Sequence, residues 1–286
     1  MSTPPVIKIS PEVPPAPPGV AKKVRVSHFQ QMKAAGRAIT VVTAYDAPMA
    51  ALADAGSVDA ILIGDSVGMV VHGMETTLPV TVEMMIMHTQ AVARGSKRSL
   101  LITDLPFMSY QVSGEQALAT AGRIMKEGGC SAVKLETASE SIIPTVKAIV
   151  DAGIPVMGHI GLVPQSVHAL GGYKVQGRSG DAAQKLIDQA RRVQDAGAFA
   201  IVLELMAAEV AGRITEALEI PTIGIGAGAL CDGQVLVLPD LLGVTQQPPR
   251  FVKKYMDARA GILRAIRKYT RDVRERTFPG PDHQFE

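Results

Sequence analysis

With 286 residues, 47% of them hydrophobic, the chain can bury a large core but is too short for two full-sized domains with linkers. The formal net charge is only +2, and Lys and Arg are dispersed except for a cluster at residues 264–276, so we expect no nucleic-acid partner. No apolar stretch approaches the ~18 residues of a membrane helix, so we expect no membrane partner. Cys130 and Cys231 lie far apart without a CxxC motif, and the chain has no signal-peptide pattern, so we expect a reducing, cytoplasmic location.

The first 20 residues differ in composition from the rest of the chain. They contain seven prolines, which block helix formation and favour an extended, solvated chain. We therefore expect residues 1–20 to form a disordered proline-rich arm and residues 21–286 to form a single folded domain.

Short, β-branched apolar runs then alternate with longer helical patterns, which is typical of parallel strands joined by crossover helices. Strands are predicted at residues 38–46, 58–65, 99–106, 131–136, 154–161, 199–205, 220–228 and 234–240. Helices are predicted at residues 47–55, 81–95, 113–128, 139–152, 180–196, 207–219 and 252–270. The glycine fingerprint of a dinucleotide-binding sheet is missing after the first strand, at residues 43–50. Eight such units in about 240 residues predict an α/β fold of the (β/α)8, or TIM-barrel, type rather than an open doubly wound sheet.

Polar residues occur at the C-terminal ends of six consecutive predicted strands. They are, in chain order, Tyr45, Asp46, Asp65, Ser66, Asp104, Lys134, Glu136, His159 and Glu204. In a barrel these strand ends meet at one opening, which is where the chemistry of such folds takes place. A single aspartate of this kind is most often a helix cap, but so many carboxylates in one cavity cost several kcal/mol unless a cation compensates them. The pattern therefore predicts a bound metal ion.

The ligands available to such an ion are carboxylates, with little sulfur or imidazole nearby. Oxygen ligands suit a hard divalent cation, most simply Mg²⁺ that keeps several water ligands. No His or Cys pair has the spacing of a zinc site. Asp65 and Asp104, on adjacent strands, are the first candidates as ligands, and Glu136 would bind the ion directly or through water.

Three further strand-end residues are candidates for binding or catalysis. Lys134 lies two positions from Glu136 on one strand, so both side chains should face the barrel interior, where Lys134 could hold a substrate carboxylate. An internal salt bridge to Glu136 is the alternative. Glu204 follows an apolar strand with no basic residue within five positions, which suits a buried general base or, alternatively, a structural hydrogen-bond acceptor. His159 is left open between a supporting residue and a contact of substrate or cofactor.

Two glycine-rich segments near the predicted opening each have two interpretations. Residues 224–228, GIGAG, have uncovered backbone amides that suit contact with an anion or a ring, or else they form a tight packing turn. Residues 171–177, GGYKVQG, form a long excursion that suits a lid or, alternatively, a plain surface loop.

Several longer motifs resemble those of one known family. GDSVGM, DLPFMSY, VKLE, GHIGLVPQS, GGYKVQG and CDGQVLV are similar, in order and spacing, to motifs of the ketopantoate hydroxymethyltransferases, over about residues 25–285. The resemblance implies a one-carbon (hydroxymethyl) transferase of pantothenate biosynthesis, with Mg²⁺ as cofactor and 5,10-methylenetetrahydrofolate as co-substrate. It also implies transfer to 2-oxoisovalerate, a cytoplasmic homodecamer, and a barrel like that of the phosphoenolpyruvate mutase and isocitrate lyase superfamily.

The same resemblance implies roles for individual residues. The metal would be surrounded by Asp65, Asp104 and Glu136. The substrate would be bound by Asp65, Ser66, Asp104 and Lys134. Glu204 would be the proton acceptor, whereas no residue is assigned to folate. The family commonly has two glycines after the glutamate of strand 4, where this chain has Thr137 and Ala138.

Three other functions are left open by the sequence. Lys134 could form a Schiff base in a metal-free aldolase. The chain could instead be a lyase of the phosphoenolpyruvate mutase and isocitrate lyase superfamily, although the KKCGH loop of those lyases is absent. It could also bind metal and 2-oxo acids without turnover.

Overall fold

Eight parallel strands close into a barrel. The computed structural model describes residues 22–172 and 174–285, so the predicted arm at residues 1–20 lies outside the described residues. The strands are β1 (Ile39–Thr43), β2 (Ala60–Ile63), β3 (Leu100–Asp104), β4 (Ala132–Lys134), β5 (Val156–Gly161), β6 (Ala200–Glu204), β7 (Thr222–Ile225) and β8 (Gly233–Leu236). Each strand pairs in parallel with the next, and β8 pairs with β1, which confirms the predicted (β/α)8 barrel.

Helices connect the strands and surround the barrel. In the described residues the α-helices are α1 (Val26–Ala34), α2 (Ala47–Ala55), α3 (Val67–Val70), α4 (Val82–Gly95), α5 (Gly114–Arg123), α6 (Ile143–Asp151), α7 (Val167–Leu170), α8 (Gly180–Asp195), α9 (Ala208–Ala217), α10 (Leu238–Leu241) and α11 (Ala258–Arg274). Short 3₁₀ or π turns lie at Ile124–Gly128, Glu140–Ile142, Pro164–Ser166 and Pro281–His283. Within the described part of the chain, no helix combines the length and the apolar character that crossing a membrane requires.

The continuous apolar run of β2 shows why these strands form a covered parallel sheet. All four of its residues are buried. Leu62 packs with the side chains inside the barrel, whereas Ile61 and Ile63 pack in the layer between the strands and the surrounding helices. A strand that is covered on both faces needs apolar residues at every position, and parallel barrels provide this environment.

Side-chain caps set the first turns of several helices. Thr81 accepts a hydrogen bond from the Met84 N–H at 3.2 Å, and α4 begins where the sequence predicts it. The last helix, α11, begins at Ala258 rather than at the predicted residue 252. Asp257 caps this later start by accepting a hydrogen bond from the Ala260 N–H at 3.1 Å.

Helix α1, which the hydrophobic pattern does not predict, closes the N-terminal end of the barrel. Its buried Phe29 and Met32 pack with interior side chains at the beginnings of the strands, including Ile39 and Leu100. The Phe29 ring meets the Phe199 ring edge-on, with 5.6 Å between the ring centroids. The barrel interior is therefore filled at this end, and the cavity described below lies at the other end.

Candidate active site

The C-terminal ends of the strands surround a cavity of about 380 Å³. Seven of the polar residues predicted from the sequence line it, namely Asp65, Ser66, Asp104, Lys134, Glu136, His159 and Glu204. The prediction is wrong for Asp46, because its exposed carboxylate caps α2 by accepting a hydrogen bond from the Met49 N–H at 2.8 Å.

Asp104 and Lys134 form a buried ion pair on the cavity wall. They are opposite each other in the register of β3 and β4, and Lys134 Nζ lies 2.9 Å from Asp104 Oδ1. Burial raises the pKa of Asp104 to about 7; the charge of Lys134 opposes this rise, and that of Asp65 adds to it. Burial alone would lower the pKa of Lys134, but the charges of Asp104 and Asp65 outweigh burial and raise it. Lys134 is therefore a fixed cation whose partner is Asp104 rather than Glu136.

Gln165, a residue that the sequence does not single out, links two of the acids. It is buried in the loop after β5. Its Nε2 donates hydrogen bonds to Asp65 Oδ2 and to the Leu105 carbonyl, both at 2.9 Å, and its backbone N–H donates to Glu136 Oε1 at 2.9 Å. The Tyr110 hydroxyl donates to Gln165 Oε1 at 2.7 Å, which fixes the orientation of the amide. Gln165 thus positions both acids, Asp65 through its side chain and Glu136 through its backbone.

Glu136 keeps one carboxylate oxygen free. Its Oε1 accepts the hydrogen bond from Gln165, whereas its buried Oε2 has no hydrogen-bond partner among residues 22–172 and 174–285. Burial raises the pKa of Glu136 to about 9, and the charge of Asp65 adds to this effect. A bound cation would stabilise the ionised form of this buried carboxylate.

Glu204 has a basic partner that lies far away in the sequence. His159 Nε2 lies 3.1 Å from Glu204 Oε2, and His159 Nδ1 lies 3.5 Å from Lys134 Nζ. Burial and the positive charge of Lys134 lower the pKa of His159, so the imidazole is neutral. Because Nδ1 faces the ammonium group it acts as an acceptor, which assigns the N–H to Nε2. This nitrogen lies near Glu204 Oε2 but makes no hydrogen bond with residues 22–172 and 174–285. The Glu204 side chain is 17% exposed, and its partner lies outside the five positions on either side that contain no basic residue.

Ser66 is held at the cavity by Tyr45, which lies behind it. Ser66 Oγ lies 2.8 Å from the Tyr45 hydroxyl. The Tyr45 carbonyl in turn accepts a hydrogen bond from His88 Nδ1 at 2.7 Å. Burial raises the pKa of Tyr45, so its phenol stays protonated and can share a hydrogen bond with Ser66.

Thr137, at the position where the sequence departs from the resembled family, anchors the end of β4 to β5. Its backbone N–H donates to the His159 carbonyl at 2.8 Å, and its Oγ1 donates to the same oxygen at 3.1 Å. The His159 N–H donates to Thr137 Oγ1 at 3.2 Å. These contacts fix the backbone of His159 beside Glu204.

The two glycine-rich segments are anchored by neighbouring residues. At Gly226, where φ is 62°, an added Cβ would lie 2.8 Å from the Phe251 ring, so the GIGAG segment is a packing turn. In the GGYKVQG segment the Gln176 N–H donates to the Leu205 carbonyl at 2.9 Å, which fastens it to the end of β6. Tyr173 of this segment lies outside the described residues.

The loop after β8 forms another part of the cavity wall. Its lining residues are Val237, Asp240, Thr245, Gln247, Pro249 and Phe251. The sequence analysis assigns none of them to the site. It places Val237 and Asp240 in the predicted strand at residues 234–240, which is wrong, because β8 ends at Leu236 and Asp240 lies in α10. Asp240 is buried, and the remaining residues are apolar or uncharged. This wall therefore differs in character from the acidic wall around Asp65.

The described residues contain no group of three or more His, Cys, Asp or Glu side chains that could hold a metal ion by themselves. Asp65 accepts a hydrogen bond from Gln165, and Asp104 is paired with Lys134. An ion bound between these acids would take most of its ligands from water or from a substrate. Mg²⁺ commonly binds in this way, through one or two carboxylates.

Comparison with known sequences gives one consistent result. A family model described as ketopantoate hydroxymethyltransferase matches residues 23–281 of the chain. The chain is 55% identical over 264 residues to the 3-methyl-2-oxobutanoate hydroxymethyltransferase of Carboxydothermus hydrogenoformans, covering 92% of this chain and 95% of that protein. It is 53% identical over 258 residues to the protein of the same name from Trichodesmium erythraeum, covering 90% of this chain and 98% of that protein.

Solved structures share the barrel at much lower sequence identity. The phosphoenolpyruvate phosphomutase of Streptomyces platensis subsp. rosaceus gives a TM-score of 0.61 at 14% identity, covering 91% of this chain and 92% of that one. A 2,3-dimethylmalate lyase described as a member of the PEP mutase/isocitrate lyase superfamily gives a TM-score of 0.58 at 16% identity, covering 91% of both chains. These likenesses concern the fold, and they confirm the predicted barrel class.

Proposed function

Because this chain belongs to the ketopantoate hydroxymethyltransferase family, we propose that it forms ketopantoate from 2-oxoisovalerate and 5,10-methylenetetrahydrofolate with Mg²⁺. The main structural support is the line of contacts that runs from Lys134 through His159 to Glu204. Along this line the Lys134 cation and the Glu204 carboxylate lie on one wall of the cavity. Deprotonation of an anionic 2-oxo acid needs both groups.

Asp65, Asp104 and Glu136 fit a hard divalent cation by their donor chemistry. They offer carboxylate oxygens, and Glu136 Oε2 has no partner among the described residues. When bound, Mg²⁺ would supply Lewis-acid polarisation of the substrate ketone. We assign Asp65 and Asp104 as ligands, with Glu136 binding directly or through water.

Lys134 and Ser66 would bind the carboxylate end of 2-oxoisovalerate. The Lys134 ammonium is buried and charged, so it offers a strong contact to an anionic group in the cavity. Its contact with Asp104 fixes its direction. The Ser66 hydroxyl, held by Tyr45, would donate a hydrogen bond to the same substrate group.

Glu204 would accept the proton from the substrate carbon next to the ketone. The neutral His159 lies with its Nε2 3.1 Å from Glu204 Oε2, and the other carboxylate oxygen is left for the substrate. Thr137 fixes the backbone of His159, so the direction of this contact is set by β4 and β5. The resulting carbon nucleophile would then form a bond to the one-carbon unit, whose bonds to the two folate nitrogens would break to release tetrahydrofolate. A water molecule would supply the oxygen of the new hydroxyl group.

The structure weighs against the Schiff-base alternative. An amine must be neutral to attack a carbonyl, yet the carboxylates around Lys134 raise its pKa, and it is paired with Asp104 at 2.9 Å. An ammonium group in this state suits anion binding rather than nucleophilic attack. A non-catalytic binder of 2-oxo acids would not need the His159–Glu204 contact.

Hydrogen exchange on 2-oxoisovalerate tests the proposed role of Glu204. In D₂O with Mg²⁺ and no folate, the wild type should exchange the hydrogen next to the ketone, as followed by proton NMR. Glu204→Gln should slow this exchange by at least about 100-fold, because the amide cannot accept the proton. Glu209→Gln, which removes an exposed acid from α9, is the matched control and should exchange like the wild type. Unimpaired exchange by Glu204→Gln would remove Glu204 from this role.

We also propose that the protein works as a homo-oligomer, with the decamer as the expected size. Helix α11 supports an assembly, because Ile262, Ile266, Tyr269 and Val273 form an exposed apolar stripe along it. Another protein surface would cover such a stripe. Sedimentation velocity of the purified protein measures the size, and a monomer at micromolar concentration would contradict the proposal.

A further inference from the structure

We propose that Asp240 anchors the pterin ring of the folate co-substrate by accepting two hydrogen bonds from the edge of its pyrimidine ring. The inference rests on the folate dependence proposed above. It assigns a second ligand-binding wall to the cavity, formed by the loop after β8.

Asp240 is a buried acid that faces the cavity without a partner. It is only 7% exposed, and it lines the same cavity as Asp65 and Glu204. Among residues 22–172 and 174–285, no side-chain hydrogen bond or ion pair reaches its carboxylate, which opens onto the cavity. A ligand that fills this part of the cavity would take the carboxylate out of water, so it must bring hydrogen-bond donors to it.

The donors must come from a neutral or cationic group rather than from the keto acid. The anion 2-oxoisovalerate carries a carboxylate and has no hydrogen-bond donor, so Asp240 would repel it toward Lys134. A metal ion is also a poor match, because the other residues with which the loop after β8 lines the cavity, Val237, Thr245, Gln247, Pro249 and Phe251, include no second carboxylate. Two adjacent N–H donors on one ring edge would pair with both carboxylate oxygens.

A pterin ring has this donor pattern and a shape that fits the surrounding wall. Its ring amide N–H and its 2-amino group are neighbours on the pyrimidine edge. Around Asp240 the cavity is lined by Val237, Pro249 and Phe251, which suit the faces of a flat ring. The Phe251 ring packs against Gly226, where any side chain would displace it. At about 380 Å³ the cavity is in the size range of sites for larger organic ligands than a five-carbon acid.

The position of Asp240 would also place the two substrates on different walls. Asp240 lies four residues beyond the end of β8, whereas Lys134 is the last residue of β4. In the closed order of strands these two are on opposite sides of the barrel. A pterin held at Asp240 would therefore extend toward a keto acid held at Lys134, and the transferred carbon would lie between them.

Steady-state kinetics of Asp240→Asn test the inference. The amide replaces one acceptor by a donor at nearly constant shape, so the KM for methylenetetrahydrofolate should rise about 10- to 100-fold. The KM for 2-oxoisovalerate should change much less. Asp282→Asn, the same substitution at an exposed acid away from the cavity, is the control and should leave both KM values unchanged. An equal rise in both KM values, or no rise for the folate, would overturn the role of Asp240.

A calorimetric titration with the wild-type protein provides a test that does not depend on how the variant folds. Tetrahydrofolate should bind about 10- to 100-fold more tightly than an analogue in which a methyl group replaces the 2-amino group. Equal affinities would overturn the inference. If the wild type forms no ketopantoate with methylenetetrahydrofolate, the proposed function fails. If the wild type forms ketopantoate but Asp240→Asn keeps the wild-type KM for the folate, only the Asp240 inference fails.

Discussion

Replacing Gly161 by alanine should affect both stability and catalysis, because this glycine lies against the backbone of the candidate base. Gly161 is the last residue of β5 and is registered with Glu204 of β6. Its φ is 96°, a conformation that L-residues rarely adopt. An added Cβ would overlap the Glu204 carbonyl oxygen and would lie 3.0 Å from Met206 Cε. The same carbonyl accepts a hydrogen bond from the Leu162 N–H at 2.9 Å, so the strand must move to make room.

The size of the effect can be separated into two parts by a second glycine. Gly153 has a similar φ of 84°, but an added Cβ there would meet no atom within 4 Å. Gly153→Ala should therefore lose only the conformational part, about 1 kcal/mol of unfolding free energy. Gly161→Ala should lose this part and about 1–3 kcal/mol more for the steric overlap.

Urea unfolding followed by circular dichroism, at one fixed protein concentration, measures both variants. The kcat for ketopantoate formation provides the second measurement. If Glu204 moves by up to an ångström, kcat of Gly161→Ala should fall by as much as about 100-fold, while Gly153→Ala keeps the wild-type value. Equal unfolding free energies and equal kcat values for the two variants would refute the reasoning.

Two further substitutions test buried polar contacts. Gln165→Leu should lower the free energy of unfolding by about 1–3 kcal/mol, because Asp65 Oδ2 and the Leu105 carbonyl both lose a buried donor; urea unfolding measures it. Asp54→Asn should lower it by about 1–2 kcal/mol at pH 7. Partial burial alone would raise the pKa of Asp54, but hydrogen bonds from Ser99, Ser96 and Lys97 outweigh burial and lower it from 3.8 to about 2. This contribution is present above about pH 4 and is lost as the pH falls toward 2, so the difference from the wild type should shrink over that interval.

Different results would contradict these expectations. For Gln165, the comparison is Tyr110→Phe, which removes the hydroxyl that donates to Gln165 Oε1 and accepts from the Glu136 N–H at 3.2 Å but leaves both Nε2 donors in place. An unchanged free energy of unfolding for Gln165→Leu would mean that the Nε2 contacts contribute nothing to stability. For Asp54, a difference from the wild type that stays constant from pH 7 to pH 2 would exclude the charged form as its source.

Much of the barrel could be predicted because it depends on local patterns. Apolar runs such as that of β2 identify strands that are covered on both faces, and their regular alternation with helices gives a parallel barrel. Once the barrel is assumed, its geometry brings strand-end residues together without knowledge of any contact. Seven predicted residues line the cavity for this reason. Asp46 does not, because its side chain caps α2 instead.

Residues that act through distant contacts could not be predicted in this way. Gln165 lies 100 positions from Asp65 and 29 from Glu136, and it follows a strand without belonging to the apolar pattern. The pattern places Asp240 at the end of a predicted strand at residues 234–240, whereas it lies in a short helix after β8. Both were missed because loop residues take their surroundings from the folded barrel rather than from their neighbours in sequence.

The pairing of Lys134 shows which distance decides such contacts. Lys134 and Glu136 share a face because they are two positions apart, but two residues of strand rise separate their Cα atoms by about 6.6 Å. Registered residues on adjacent strands are only about 4.8 Å apart, and Asp104 is the registered neighbour of Lys134. The ion pair therefore forms across the sheet, at 2.9 Å, and Glu136 is left to the loop residue Gln165. Sequence spacing indicates which face a residue occupies, whereas strand register determines its partner there.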